Sequence, residues 1–233
     1  MTKRKDAEKP TSGEEANDSS SKDQRILEVA ADEFAAVGFA AVRIDKIAAL
    51  AKCNKQLIYY YFGSKENLYE AVLAKMVEKM ASYWAETENL KLEDTLSYRF
   101  ANLSRDVERW RRLLIWEGLE IDAEDGDELR LQEVRAQSVG RQTETIRRAQ
   151  DRGEIDPGID PAMLTLFLTL MASGPAAFPQ LTRMITGDKP NSPEFAARQN
   201  KFFRTLVHPI TGAGRLERDV ALDEEKDPVN AEH

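Results

Sequence analysis

From Ile26 onward, apolar residues recur at helical rather than strand spacing. Ile26, Val29, Ala30, Phe34 and Val37 recur at helical spacing on one face, as in an amphipathic helix packed on a core. Gly38 follows at once, in the place of a glycine that closes a helix. Ile44, Ile47, Ala48 and Ala51 make a second, shorter stripe. Lys52-Cys53-Asn54 then predict a three-residue turn, with Asn54 as N-cap of a third helix over 55–62. Gly63-Ser64 ends that helix. Ser64 caps a long fourth one reaching about Glu88, along which Leu68, Val72 and Met76 align.

The segment IYYYF, residues 58–62, is where propensity and pattern conflict. Every residue in it favours a β-strand. On a helix, however, Ile58 and Phe62 lie four apart on one inward face, and Tyr59, Tyr60 and Tyr61 turn progressively away from it. A strand would group Ile58 with Tyr60 and Phe62 and leave Asn54 nothing to cap, so the helix is the better reading. Two short helices joined by a tight turn make a helix-turn-helix, whose second helix enters the major groove of DNA.

The remainder reads as all-helical. Helices are expected near 92–104, 110–122, 127–152, 160–178 and 193–207, with loops at Gly153, Asp156-Pro157-Gly158 and Gly187-Asp188-Lys189-Pro190. MLTLFLTLM (163–171) is apolar nearly all round, which predicts burial on more than one side. Phe195, Gln199, Phe202 and Leu206 form a stripe on the last helix. The fold class is therefore all-α: a three-helix head at 21–65 and a larger helical body at 66–211. Residues 1–20 carry no large apolar side chain after Met1, and 212–233 are polar and acidic. Both are expected to be disordered, as an arm and a tail.

Composition narrows the class. With 42% hydrophobic and 32% charged residues among 233, the chain is of ordinary globular type. No apolar run approaches the roughly 20 residues of a membrane span, and the first 24 residues hold no apolar core of a secretory signal. A single cysteine, Cys53, suits a reducing cytosol. These points make a cytoplasmic protein without membrane contact the expectation.

The net charge of −8 argues against a nucleic-acid partner only as a total. Arg43, Lys46, Lys52, Lys55 and Lys65 stand against Asp45 alone between residues 43 and 65, whereas 215–233 hold three cations and seven anions. At physiological salt the screening length is about 8 Å, so distant acids hardly oppose a local basic patch. The acidic run Asp122, Glu124, Asp125, Asp127, Glu128 reads as a solvated loop and helix start, where negative charge suits the dipole, rather than a metal site. His208 and His233 are the only histidines. There is no Gly-x-Ser-x-Gly, no phosphate loop and no metal-ligand spacing. No enzyme, catalytic residue, metal or cofactor is expected. Cys53 reads as a small turn-packing residue, with only nearby lysines to lower its pKa.

The stretch VAADEFAAVGFAAVRIDKIAALAKCNKQLIYYYFGSKENLYEAVL, 29–73, resembles the tetracycline-repressor (TetR) family of one-component transcription factors. It matches helix, Gly-aromatic turn, short helix, turn, recognition helix with Tyr-x-x-Phe, then Gly-Ser-Lys-Glu-x-Leu opening the fourth helix. There are two departures: Lys52 stands where the family commonly has glycine, and Val42-Arg43 where a Thr or Ser often caps the second helix. The resemblance implies that Lys55, Gln56 and Leu57 face base edges, that Tyr59 and Tyr61 reach phosphates, and that Lys65 and Arg43 add phosphate contacts. For Tyr60, a DNA-facing place and one beneath the first helix stand level.

The resemblance further implies a homodimer through the last two helices, bound to a palindromic operator, most simply as a repressor released by a small-molecule effector. Trp84, Phe100, Trp110, Trp116, Phe167 and Met171 are the candidates to line the effector pocket. With few polar anchors among them, an apolar or aromatic ligand is expected.

Overall fold

The structure, a computed structural model, describes residues 12–87, 89–101, 104–120, 130–190 and 192–210, with side chains described between residues 22 and 205. Among these residues there are ten helices and no strand: α1 (Ser12–Ala41), α2 (Ile44–Leu50), α3 (Lys55–Phe62), α4 (Lys65–Thr87), α5 (Leu92–Ala101), α6 (Arg105–Glu120), α7 (Gln132–Asp151), α8 (Pro161–Ala177), α9 (Pro179–Thr186) and α10 (Pro193–Ile210). They form two compact units. One runs to Lys75 and takes in Trp116–Arg130; the other holds Met76–Ile115 and the chain from Leu131.

The first unit is built on the expected stripes. Ile26, Ala30 and Phe34 of α1, Ile47 of α2, Ile58 of α3, and Leu68 and Val72 of α4 are buried together in its core. Each of the larger side chains contributes about 1.5–3 kcal/mol by leaving water. Tyr69 meets Phe34 edge-on at 4.9 Å. The α1 run breaks at Gly38, whose φ of 76° and ψ of 168° lie in a region open essentially to glycine alone. Lys52 takes φ 53° in the α2–α3 turn, so the left-handed residue is a lysine, at a cost of about 1–2 kcal/mol. Lys52→Gly should therefore raise stability, less the extra freedom glycine gives the unfolded chain, by roughly 0.5–1 kcal/mol. A urea midpoint unchanged or lowered by that substitution would count against strain at this turn.

The second unit packs around α5 and α10. Phe100 and Phe203 stack face to face at 3.7 Å with 5° between planes. Leu92, Leu96, Ile146, Ala149, Ile155, Leu168 and Ala172 complete that core. Asp160 caps α8 by accepting from the Ala162 and Met163 amides at 2.7 and 3.0 Å, with Pro161 at the first helical position.

Several expectations are corrected. The expected arm at 1–20 is helical from Ser12; a helix without an apolar stripe leaves no periodic signal. The region after Phe178 holds α9, hidden by its length of only eight residues. The compact units do not divide between residues 65 and 66, since the first extends to Lys75 and recruits Trp116–Arg130. On α10 the buried aromatics are Phe195 and Phe203, while Phe202 is exposed, a shift of one position around the helix. α8, expected to be buried on more than one side, is buried on one side only among the described residues. The tail at 212–233, the acidic run 122–128 and the side chains of Leu206 and His208 lie outside the described residues.

Candidate functional site

The turn between α2 and α3 is held by local bonds that the sequence specifies. Asn54 Oδ1 accepts from the Leu57 amide at 2.8 Å, and the Cys53 amide donates to the Ala48 carbonyl at 3.0 Å. Ser64 Oγ accepts from the Asn67 amide at 3.1 Å, capping α4. With Ile58 inward, this fixes which face of α3 looks out. Lys55, Gln56, Tyr59 and Tyr60 are exposed, and Leu57, Tyr61 and Phe62 half-buried. Tyr60 is 81% exposed and Tyr59 41%, so Tyr60 does not pack beneath α1. It is the most available of the three phenols, with Tyr61 edge-on to it at 5.4 Å. Arg43 caps α2 with extended backbone and no side-chain bond, leaving its guanidinium on the exposed surface.

Three of the five cations between residues 43 and 65 are already engaged. Lys55 Nζ pairs with Asp45 at 3.1 Å, and this bond and charge raise the lysine pKa above its usual value. Lys65 Nζ donates to the Ala40 carbonyl at 3.2 Å and lies 4.7 Å from the centre of the Phe39 ring, which fixes its ammonium beside the start of α4. Arg130 stacks near the same ring at 5.1 Å and pairs with Glu70 at 3.1 Å. Lys46 pairs with Glu33 at 2.7 Å. Burial raises the Cys53 thiol pKa, and the Arg25 charge lowers it less. A thiol so placed is a poor nucleophile. Arg25 is thus a cation near the turn that the sequence does not disclose, because α1 brings it there only in the folded unit.

In the second unit the helices line a cavity of about 410 Å³. Trp84 and Trp110 line it; Phe100, Phe167 and Met171 do not. Phe100 is consumed by its stack on Phe203, Met171 packs against the core, and Phe167 is exposed. Trp116 belongs to the first unit, where its indole N–H donates to the Ala35 carbonyl at 3.3 Å. The wall also carries Arg99, Arg111 and Arg135 and, among the described residues, no aspartate or glutamate. Burial, and then the charge of Arg111, push the Arg99 guanidinium down to about 10. Burial lowers Arg111 as well, with Glu108 opposing. The expectation of few polar anchors is corrected: guanidiniums on long stems reach the wall from positions that read as surface.

A third feature is an uncovered apolar face. Met163, Leu166, Phe167 and Leu170 recur on α8 at intervals of three, one and three, and all are exposed. The opposite side of the helix buries Thr165, Leu168 and Ala172. Leu181, Met184 and Ile185 are exposed on α9, which buries no residue. No single helix among the described residues is long and apolar enough to cross a membrane; α8 and α9 reach that length only together, bent by 93°.

Comparison with known proteins agrees with both units. Residues 26–72 match the model of bacterial regulatory proteins of the tetR family, and 97–207 the tetracyclin repressor-like C-terminal domain. The chain is 35% identical over 175 residues to the HTH-type transcriptional repressor SCO4008 of Streptomyces coelicolor, covering 74% of this chain and 87% of that one. A 48-residue stretch is 52% identical to the HTH-type transcriptional repressor NicS of Pseudomonas putida, 21% of this chain and 23% of that one. Among solved structures, SCO4942 of Streptomyces coelicolor superposes with a TM-score of 0.58 at 26% identity, covering 79% of this chain and 95% of that one. Salmonella enterica GusR superposes at 0.59 and 22%, covering 82% and 95%. The capped turn, the exposed recognition face and these matches over both units lead to one assignment: the chain belongs to the TetR family of DNA-binding transcriptional regulators.

Proposed function

We propose that the protein is a cytoplasmic repressor that binds a palindromic operator as a homodimer and is released by a small molecule held in the cavity of the second unit. The observation that carries the reading is the exposed row at the start of α3, beside a fixed ammonium at Lys65. In this reading Lys55, Gln56 and Leu57 meet base edges. Lysine donates to guanine O6 or N7, glutamine brackets adenine, and leucine touches a thymine methyl. Tyr59, Tyr60, Arg43 and Lys65 meet phosphates, with Tyr61 supporting Tyr60. Lys55 must exchange Asp45 for a base, so its partner in the free protein keeps the side chain in place without burying it.

Dimerisation follows from the uncovered face. Eight exposed apolar side chains on α8, α9 and α10, Phe202 included, make a patch of the kind that marks an interface. A second copy suits it because a two-fold axis sets the same patch against itself. The paired heads then lie one helical turn apart on DNA. A ligand that favours another separation of the heads lowers operator affinity by population shift.

Selection of bound fragments from random duplex DNA tests the reading, the expected result being an inverted repeat. Lys65→Ala should weaken binding to all sequences and, with two copies per dimer, flatten the log–log salt dependence by about 1.8. Lys55→Ala should instead relax preference at one base position in each half-site. A single non-repeated consensus, or a salt slope unmoved by Lys65→Ala, would refute the docking face.

A further inference from the structure

We infer that the cavity is built for an organic anion, an aromatic carboxylate carrying a hydrogen-bond donor, gripped between Arg99 and Arg111. This rests on the reading of the cavity as the effector site and narrows the effector to one chemical class.

The case is made by what surrounds the cations. Arg99 donates from Nη2 to the Thr169 hydroxyl at 2.8 Å and lies 4.6 Å from the centre of the Trp84 ring. One bond to a neutral hydroxyl engages a single one of its five donors. Neither Arg99 nor Arg111 has a carboxylate within ion-pair distance among the described residues, and none lines the cavity. Glu108 influences Arg111 from outside the lining residues, and Glu86 is bonded to Tyr98. Two like charges on one wall repel each other, and burial weakens the screening that water would supply. A carboxylate with its two oxygens matches the guanidinium fork and relieves that repulsion.

The rest of the ligand follows from the rest of the wall. Trp84 and Trp110, the latter with Arg135 5.6 Å from its ring centre, offer flat faces to an aromatic body. Gln142 lines the cavity, and its Oε1 is buried with no hydrogen-bond partner among the described residues. A buried acceptor without a donor is unfavourable, so a phenol or N–H on the ligand completes it. At about 410 Å³ the space lies within the range of small-molecule sites.

The test uses matched probes: indole-3-acetate and 1-naphthaleneacetate, their neutral amides, and the cation tryptamine, titrated calorimetrically into the full chain. At least one acid should bind tenfold or more tightly than its amide, with tryptamine weakest. The acid preference should shrink toward unity in Arg99→Gln or Arg111→Gln. Melting of each unliganded variant reads its folding separately, and the acid–amide comparison on the unsubstituted protein needs no variant. Amides binding as well as acids, no probe binding at all, or a preference that survives both substitutions would overturn the anionic site. Operator release by the same probes separates the two ideas. If amides bind and release DNA, effector control stands and the anion class falls. If acids bind and leave operator affinity unmoved, the anionic site stands and effector control falls.

Discussion

Gly38→Ala should destabilise the first unit by about 2–5 kcal/mol, the sum of two penalties. The backbone at φ 76°, ψ 168° costs a side-chain-bearing residue about 1–3 kcal/mol. A Cβ there would also stand 2.9 Å from Cδ2 and Cε3 of Trp116, and forcing extra volume into a packed site costs about 1–3 kcal/mol more. The gain from a stiffer unfolded chain, at most about 1 kcal/mol, does not offset this. Against the 5–15 kcal/mol typical of a domain, the loss should show as a large fall in the urea midpoint and weaker operator binding at growth temperature. The two penalties separate in the double variant Gly38→Ala/Trp116→Ala, where the clash is gone and the backbone strain remains. The double variant should therefore be about 1–2 kcal/mol more stable than the two single losses added together. A Gly38→Ala protein that melts within 1 °C of the original would refute both penalties.

Much of the head was legible because local chemistry and periodicity agree there. Asn54, Ser64 and the Ile58–Phe62 spacing each specify the same helix-turn-helix, so the strand propensity of three tyrosines is overridden by capping and burial. The exposure of Tyr60 was not legible, since adjacent positions on an eight-residue helix differ by 100° and only the tertiary neighbours decide which is covered. The cavity was the least legible part. Apolar aromatics were natural candidates, yet Phe100 found a better partner in Phe203 and Trp116 went to the other unit. The arginines that define the wall look like solvated surface in sequence, because burial of a long cationic side chain depends on helices far apart in the chain. The apolar α8 reads in sequence as buried on more than one side; in the structure one side buries Thr165, Leu168 and Ala172 and the other shows Met163, Leu166, Phe167 and Leu170.

That uncovered face yields the largest expected effect. Leu170 is 60% exposed and absent from the cavity wall, so a change there bears on the proposed interface and not on the cavity. Leu170→Asp places a carboxylate on the apolar face of each protomer, and two-fold symmetry doubles the penalty. An uncompensated buried charge costs about 3 kcal/mol or more; two cost about 6 kcal/mol, which raises the dimer dissociation constant roughly 10⁴-fold. The isolated subunit should keep its own cores, since Leu170 is exposed and belongs to neither, and should retain its helical circular dichroism. Sedimentation should then show a monomer at micromolar concentration, against a dimer for the unsubstituted chain. Operator affinity should fall with it, because a single head meets only one half-site and the second no longer binds as part of the same molecule. A Leu170→Asp protein that sediments as a dimer would move the interface off α8, and the palindrome would then require another two-fold surface.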